Sequence, residues 1–151
     1  MKIYKVNNKN EEKFLRRPPS LFDFKKYTKS EVKEIVKAMK AEMENADGIG
    51  LSANQVGLDM RVFVAKADNK FYAIFNPKLT KISSDLWDGE EGCLSITGKY
   101  AEFSRPGKVT LEGYDKNGKK IKIKAWGLLA RIFQHEVDHL DGKLFIDHIK
   151  K

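Results

Sequence analysis

Two of the chain's three histidines stand four positions apart, in the run His135-Glu136-Val137-Asp138-His139. On a helix, residues four apart share one face, so both imidazoles reach a single divalent ion. Glu136 is turned by about 100° from His135. It is poorly placed as a further ligand, but it reaches a water on that ion. The HExxH pattern therefore predicts a C-terminal helix with a metal-facing side, here from about Gly127 to Leu140, with Gly142 suited to its left-handed cap. A catalytic site further needs a third protein ligand and one open position.

That third ligand narrows the class. Proteases that take a glutamate far downstream are excluded, because only 12 residues follow His139 and none is Glu. The extended HExxHxxGxxH form matches through Gly142 but has Phe145 where its last histidine belongs. His148 is off that spacing and reads as a surface histidine. The remaining soft ligand is Cys93, the chain's one cysteine, in Glu90-Glu91-Gly92-Cys93-Leu94-Ser95. A buried free cysteine is the ordinary account of such a residue. Beside an HExxH that lacks its third ligand, the ligating thiolate is preferred.

Composition sets outer bounds. With 151 residues, 41% hydrophobic and 33% charged, the chain reads as one soluble globular domain over 1–151. It has no apolar run long enough to cross a membrane. The N-terminus lacks a secretory apolar stretch, and Glu11 and Glu12 argue against a transit peptide. A lone cysteine forms no intrachain disulfide, so a reducing, cytoplasmic setting is expected, the host cytoplasm if the gene is a phage's. The net charge of +8 fits either an acidic partner such as ribosomal RNA or a lysine-rich solvated surface. The basic residues are spread along the chain, which favours the second reading.

Between these bounds the pattern is α+β. The first dozen residues are polar, and Pro18-Pro19 punctuates an extended lead-in. Thr28 and Glu31 form a capping box for a helix with Val32, Ile35, Val36, Met39 and Met43 on one face, ending near Asp47-Gly48. Strands are predicted at Arg61–Ala65 and at Phe71–Phe75, the second stopped by Asn76-Pro77, with a further one over Leu79–Leu86. Val109–Tyr114 and Lys120–Lys124 flank Asn117-Gly118 as a hairpin. The expected fold is antiparallel or mixed sheets packed around the HExxH helix, with an amphipathic helix on the N-terminal side.

Three segments, Gly48-Ile49-Gly50-Leu51-Ser52-Ala53-Asn54-Gln55, Glu91-Gly92-Cys93-Leu94-Ser95 and Gln134-His135-Glu136-Val137-Asp138-His139, resemble in order and spacing the three signature motifs of the peptide deformylases. The similarity runs over nearly the whole chain. It implies removal of the formyl group from the N-terminal formyl-methionine of nascent polypeptides. The metal would be held by Cys93, His135 and His139. Metal-activated water would attack the formyl carbon, with Glu136 as general base and then acid. By the same resemblance, the Gln55 amide and the Leu94 N–H stabilise the oxyanion. Ile49 lends backbone hydrogen bonds, and Glu91, Leu128, Arg131 and Ile132 lie near the methionine pocket. Gly48 and Gly50, otherwise a turn after the first long helix, would let a peptide backbone approach.

The family also implies Fe²⁺ as the ion, with Ni²⁺, Co²⁺ or Zn²⁺ as substitutes, whereas the ligand set alone suggests zinc. Arg131 and Glu91 are expected to pair, and Asp138 to meet Arg105. Ser52 stands where many members have alanine, with little effect expected, and Tyr100 where some carry arginine. The chain stops soon after Asp147, so ribosome docking through the C-terminal helix of some bacterial members is not expected. A transient ribosome encounter stays compatible. No membrane or specific nucleic-acid partner is expected, and a monomer is the default. Two rival readings stay open: an HExxH peptidase with a cysteine ligand, and a basic binding protein around a structural zinc.

Overall fold

In the computed structural model, which describes residues 1–149, the chain forms helix α1 (Lys9–Leu15), helix α2 (Lys29–Asn45), strands β1 (Gly50–Ser52), β2 (Val62–Ala67), β3 (Lys70–Ile82), β4 (Leu86–Cys93), β5 (Ile96–Pro106), β6 (Lys108–Tyr114) and β7 (Lys120–Trp126), and helix α3 (Gly127–Leu140). Short 3-10 turns follow at Ala53–Val56 after β1 and at Phe145–His148 after α3. The last two positions of the 1–151 span lie outside the described residues. Five strands form one sheet in the order β1-β2-β3-β6-β7, and β4-β5 form a separate hairpin. The described pairings are antiparallel. The fold is α+β, as the sequence pattern predicts.

Strand β2 explains the layering. Its sequence VFVAKA is apolar on both faces because helices cover both. Val62 and Val64 join Val32, Val36, Met39 and Met43 of α2 in one core. Phe63 and Ala65 join Phe133, Val137 and Leu140 of α3 in another. The α2 side chains come from the predicted stripe, and Thr28 and Glu31 close the predicted capping box. Each fully buried side chain of this size contributes roughly 1.5–3 kcal/mol. The second core therefore anchors α3 through side chains other than its metal-facing ones.

Three expectations are corrected. The polar lead-in contains α1: the Asn8 side chain accepts the Asn10 and Glu11 N–H groups, Glu11 and Glu12 occupy the first turn, and Leu15 anchors the helix in the core. Asn76-Pro77 does not end β3. Asn76 adopts a positive φ of 51°, and the register with β6 shifts between Phe75 and Lys78. This bulge takes Pro77, which has no N–H, out of the ladder. The predicted Leu79–Leu86 strand is divided accordingly, its start belonging to β3 and Leu86 to β4. The β4-β5 hairpin itself gave no clean alternation, since β4 carries LWDGEEGC and is largely exposed.

Candidate metal centre

Helix α3 buries nearly every residue from Ala130 to Leu140. Its HExxH side faces the end of β4, where the tight Leu94-Ser95 turn presents Cys93. His135 Nε2 and His139 Nε2 lie 3.2 Å apart, and Cys93 Sγ lies 3.2 Å from His139 Nε2. One donor atom from each of the three residues falls within 4.8 Å of the others. Two imidazoles and one thiol suit a borderline or soft divalent ion, so these residues fit the metal that the sequence pattern implies. Cys93, His135 and His139 could thus hold it together. His148 is outside the group: its Nε2 lies 2.8 Å from Asp138 Oδ2, and its ring stacks on Phe103.

Behind the cluster, Glu91 collects four donors. Its Oε1 meets His135 Nδ1 at 2.9 Å and Arg105 Nη2 at 2.9 Å. Its Oε2 accepts from Arg131 Nη1 at 2.7 Å and from Arg105 Nε. Burial opposes charge on Glu91, but Arg105 and His135 outweigh it and hold the carboxyl down at about 2. Fixing His135 Nδ1 leaves Nε2 for the ion. Arg105 also reaches Asp138 Oδ2 at 3.1 Å, the pairing expected from sequence. Arg131 bonds the backbone oxygens of Trp87 and Phe103 as well, at 2.8 and 3.1 Å, so it ties the hairpin to α3. In the metal-free site, burial lowers His135, but Cys93, Glu91 and Glu136 push it up to about 10. Burial and the neighbouring positive charges drive His139 well below its usual range.

Glu136 faces the same space. Burial pushes its carboxyl up to about 7, against the pull of His135. Its Oε1 is buried without a hydrogen-bond partner among the described residues. Across from it runs β1. A β-carbon at Gly50 would overlap the Glu136 carboxylate, and one at Gly48 would press on the Leu94 side chain at 2.8 Å. At both positions glycine leaves room for these side chains, which a larger residue would displace.

The Gln55 amide points at the cluster, with Nε2 3.5 Å from Cys93 Sγ and 3.1 Å from Ser95 Oγ. Its Oε1 accepts from Ser52 N at 3.0 Å and lies 3.1 Å from Ser52 Oγ. Ser52 Oγ also lies 2.7 Å from Asn54 Oδ1, and Asn54 Nδ2 donates to His139 O at 2.7 Å. The buried residues Ser52 and Asn54 thus connect Gln55 to the ligand helix. Sequence reading left Asn54 out and treated Ser52 as neutral. It also missed the N-terminal strap: Tyr4 N donates to Gln55 O at 2.7 Å, Val6 N to Ser95 O at 3.0 Å, and Lys5 Nζ to Leu94 O at 3.0 Å. Contacts so distant along the chain leave no local signal.

These groups open into one cavity of about 320 Å³. Gly48, Ile49, Gly50, Gln55, Glu91, Cys93, Leu94, Leu128, Arg131, Ile132, His135 and Glu136 all line it, so it gathers the residues expected to act in catalysis, substrate binding or metal ligation except the buried His139; Ser52, Arg105 and Asp138 stand outside it. Leu128 and Ile132 supply an apolar wall, about two turns and one turn before His135 respectively. Tyr100 stands at the rim, 70% exposed, with its ring against Gly92. The arrangement offers a ligand trio, an adjacent carboxylate, a fixed amide donor and an apolar recess.

Residues 2–151 match the family model described as polypeptide deformylase. A peptide deformylase 2 of Gloeobacter violaceus is 43% identical over 125 residues, covering 80% of this chain and 67% of that protein. The crystal structure of a peptide deformylase from Synechococcus elongatus superposes with a TM-score of 0.90 at 34% identity, covering all of this chain and 79% of that one. A probable peptide deformylase of Synechococcus phage S-SSM7 superposes with a TM-score of 0.86 at 36% identity, covering 97% and 98%.

Proposed function

The chain belongs to the polypeptide deformylase family, enzymes that remove the formyl group from nascent polypeptides, and from that premise we propose that it performs this hydrolysis with Glu136 as the proton-transferring group. The observation that carries the reading is the Glu136 carboxylate, buried, with an unpartnered Oε1, next to the Cys93, His135 and His139 donors. When bound there, a divalent ion supplies Lewis acidity, which acidifies water and polarises the formyl oxygen.

The chain's own residues do the rest. Glu136, poised near neutrality, takes the proton of the attacking water and returns it to the departing amine, which is too basic to leave as an anion. Gln55 Nε2 and the Leu94 N–H face the oxygen that becomes negative. Each such donor is worth roughly 10²–10³ in rate. Gln55 needs no reorganisation, since Ser52 N already holds its Oε1. The methionine side chain enters the recess of Leu128 and Ile132, while the Gly48-Ile49-Gly50 backbone pairs with the peptide. We assign Fe²⁺ as the working ion, with Ni²⁺, Co²⁺ or Zn²⁺ as substitutes, and a monomeric, one-domain, cytoplasmic enzyme.

The deciding assay is formate release from formyl-Met-Ala-Ser by anaerobically purified, iron-loaded protein, beside Glu136→Ala and a peptide without the formyl group. Wild type should release formate, and the variant should lose roughly 10²–10⁴ in rate. Cleavage of internal peptide bonds without formate release would instead identify a peptidase.

A further inference from the structure

Strand β7 alternates Lys120, Ile121, Lys122, Ile123, Lys124, with its isoleucines packed toward α3. Its lysines therefore stand on the opposite face of the sheet. Cross-strand partners share a face. Lys108 stands beside Trp126, Thr110 beside Lys124, Glu112 beside Lys122 and Tyr114 beside Lys120. On the other flank of β6, Lys81 pairs with Thr110 and Lys78 with Glu112. Six lysines thus converge on one face around a single carboxylate, Glu112. All six are exposed, and none forms an ion pair among the described residues.

Residues 108–126 hold six lysines against two acids, a net +4 that is half of the chain's +8. Charge that looks dispersed along the sequence is concentrated by the hairpin. Helix α2 covers this side of the sheet over β1 and β2, and Phe24 packs on Tyr114 at the turn end of the hairpin, while the lysines of β6 and β7 stay exposed. At the open end Trp126 is 67% exposed and, with Ile82, Lys81, Lys108 and Lys124, lines a shallow groove. Two residues beyond Trp126, Leu128 lines the metal-site cavity.

We propose that this face binds single-stranded RNA, its lysines taking successive phosphates while Trp126 stacks on a base. Alternate lysines along a strand repeat at about 6.7 Å and present a row of cations to an extended polyanion. An exposed aromatic beside a basic groove is the combination that single-strand recognition uses. A membrane fits less well: a lipid surface calls for an apolar face to insert with cations around it, whereas here lysines fill the middle and the apolar groups sit at one end. The docking does not depend on the catalytic reading. Its consequence does: RNA held beside Trp126 lies near the mouth of the cavity into which a formylated chain enters.

The test is fluorescence anisotropy of metal-loaded protein with a labelled oligouridylate about 16 nucleotides long, across about 50–200 mM salt. Binding should weaken with salt. Lys81→Glu/Lys122→Glu/Lys124→Glu should lower affinity at least tenfold and flatten the logarithmic salt slope by about 2. Trp126→Ala should weaken binding about five- to tenfold. A charge-matched control on α2, Lys29→Glu/Lys33→Glu/Lys37→Glu, should change affinity by less than about threefold. Unfolding midpoints and formate release from a short formyl peptide should stay at wild-type levels in all variants, so failure here is separable from failure of the deformylase reading. Equal weakening by the two triple variants, no effect of Trp126→Ala, absence of RNA binding, or binding to phosphatidylglycerol vesicles in place of RNA would each overturn the assignment.

Discussion

Gly50 lies directly against Glu136: a β-carbon at position 50 would occupy space that the Glu136 carboxylate fills. The glycine thus sets where the carboxylate stands relative to Cys93, His135 and His139. Gly50→Ala should swing Glu136 aside and cost about 10²-fold or more in turnover, the scale of losing a general base. Stability should fall by only about 1–3 kcal/mol, as for overpacking. Steady-state kinetics alongside urea unfolding separates the two effects. Turnover within about threefold of wild type would show that Glu136 does not need this position.

A second relationship runs through Ser52. Its buried hydroxyl lies between Asn54 Oδ1 and Gln55 Oε1, and Asn54 in turn bonds the His139 carbonyl. Ser52→Ala should leave Asn54 Oδ1 short of a donor and loosen Gln55, at a cost of about 1 kcal/mol, or roughly fivefold in kcat. Gln55→Ala should cost roughly 10²–10³. Combining the two reads the coupling: if Ser52 acts through Gln55, the double variant should be no slower than Gln55→Ala alone. Independent, multiplying losses would rule that path out.

What the sequence made legible was local. The Thr28–Glu31 capping box, the Val32 to Met43 stripe, the Asn117-Gly118 hairpin and the HExxH helix are each written within one or two turns of chain. Cys93 could be reached by elimination because it is the chain's one cysteine. The Gln55 and Leu94 assignments needed a family resemblance. The β4-β5 hairpin was not legible, since its exposed ribbon carries no core-facing alternation. Nor was the strap of Tyr4, Lys5 and Val6, which grips residues about 50 and 90 positions away, through backbone N–H groups that any residue type offers at Tyr4 and Val6 and through the Lys5 ammonium. The lysine face was hidden differently: its residues are visible in sequence, but only the register gathers them.

Glu91 gives a pH prediction. Burial would raise its carboxyl, but Arg105 and His135 outweigh that and hold it at about 2, below its ordinary 4.5. A depressed carboxyl contributes stability that is present above its unfolded value and is lost as pH falls through the folded one. Part of the wild-type protein's stability should therefore disappear between about pH 4.5 and 2. Glu91→Gln should lack that component of the acid limb. It should also be less stable at neutral pH by about 3 kcal/mol, because buried Arg105 keeps only Asp138 as a charged partner and Arg131 loses its carboxylate. Thermal unfolding of both proteins from neutral pH downward measures this, and parallel curves would remove Glu91 as the cause.

Metal removal should silence the enzyme without unfolding it. The core that holds α3 is built from Phe63, Ala65, Ile132, Phe133, Val137, Leu140 and their neighbours, with no contribution from the ligand atoms, and α2 packs separately on β2. Chelation should therefore leave the far-UV circular dichroism unchanged while formate release stops. A protein held together by structural zinc would instead lose its fold. Reloading has its own readout. With His135 pushed up to about 10, the metal-free site carries a proton on that ring at neutral pH. An ion can bind His135 only by displacing it. Calorimetric titration of the metal-free protein near pH 7, in two buffers of different ionisation enthalpy, should give binding heats that differ by at least one buffer-ionisation enthalpy. The difference should shrink as the starting pH approaches 10 and the ring is already neutral. Buffer-independent heats near neutrality would mean that His135 enters the site unprotonated, and that Glu91 fixes its orientation without holding its charge.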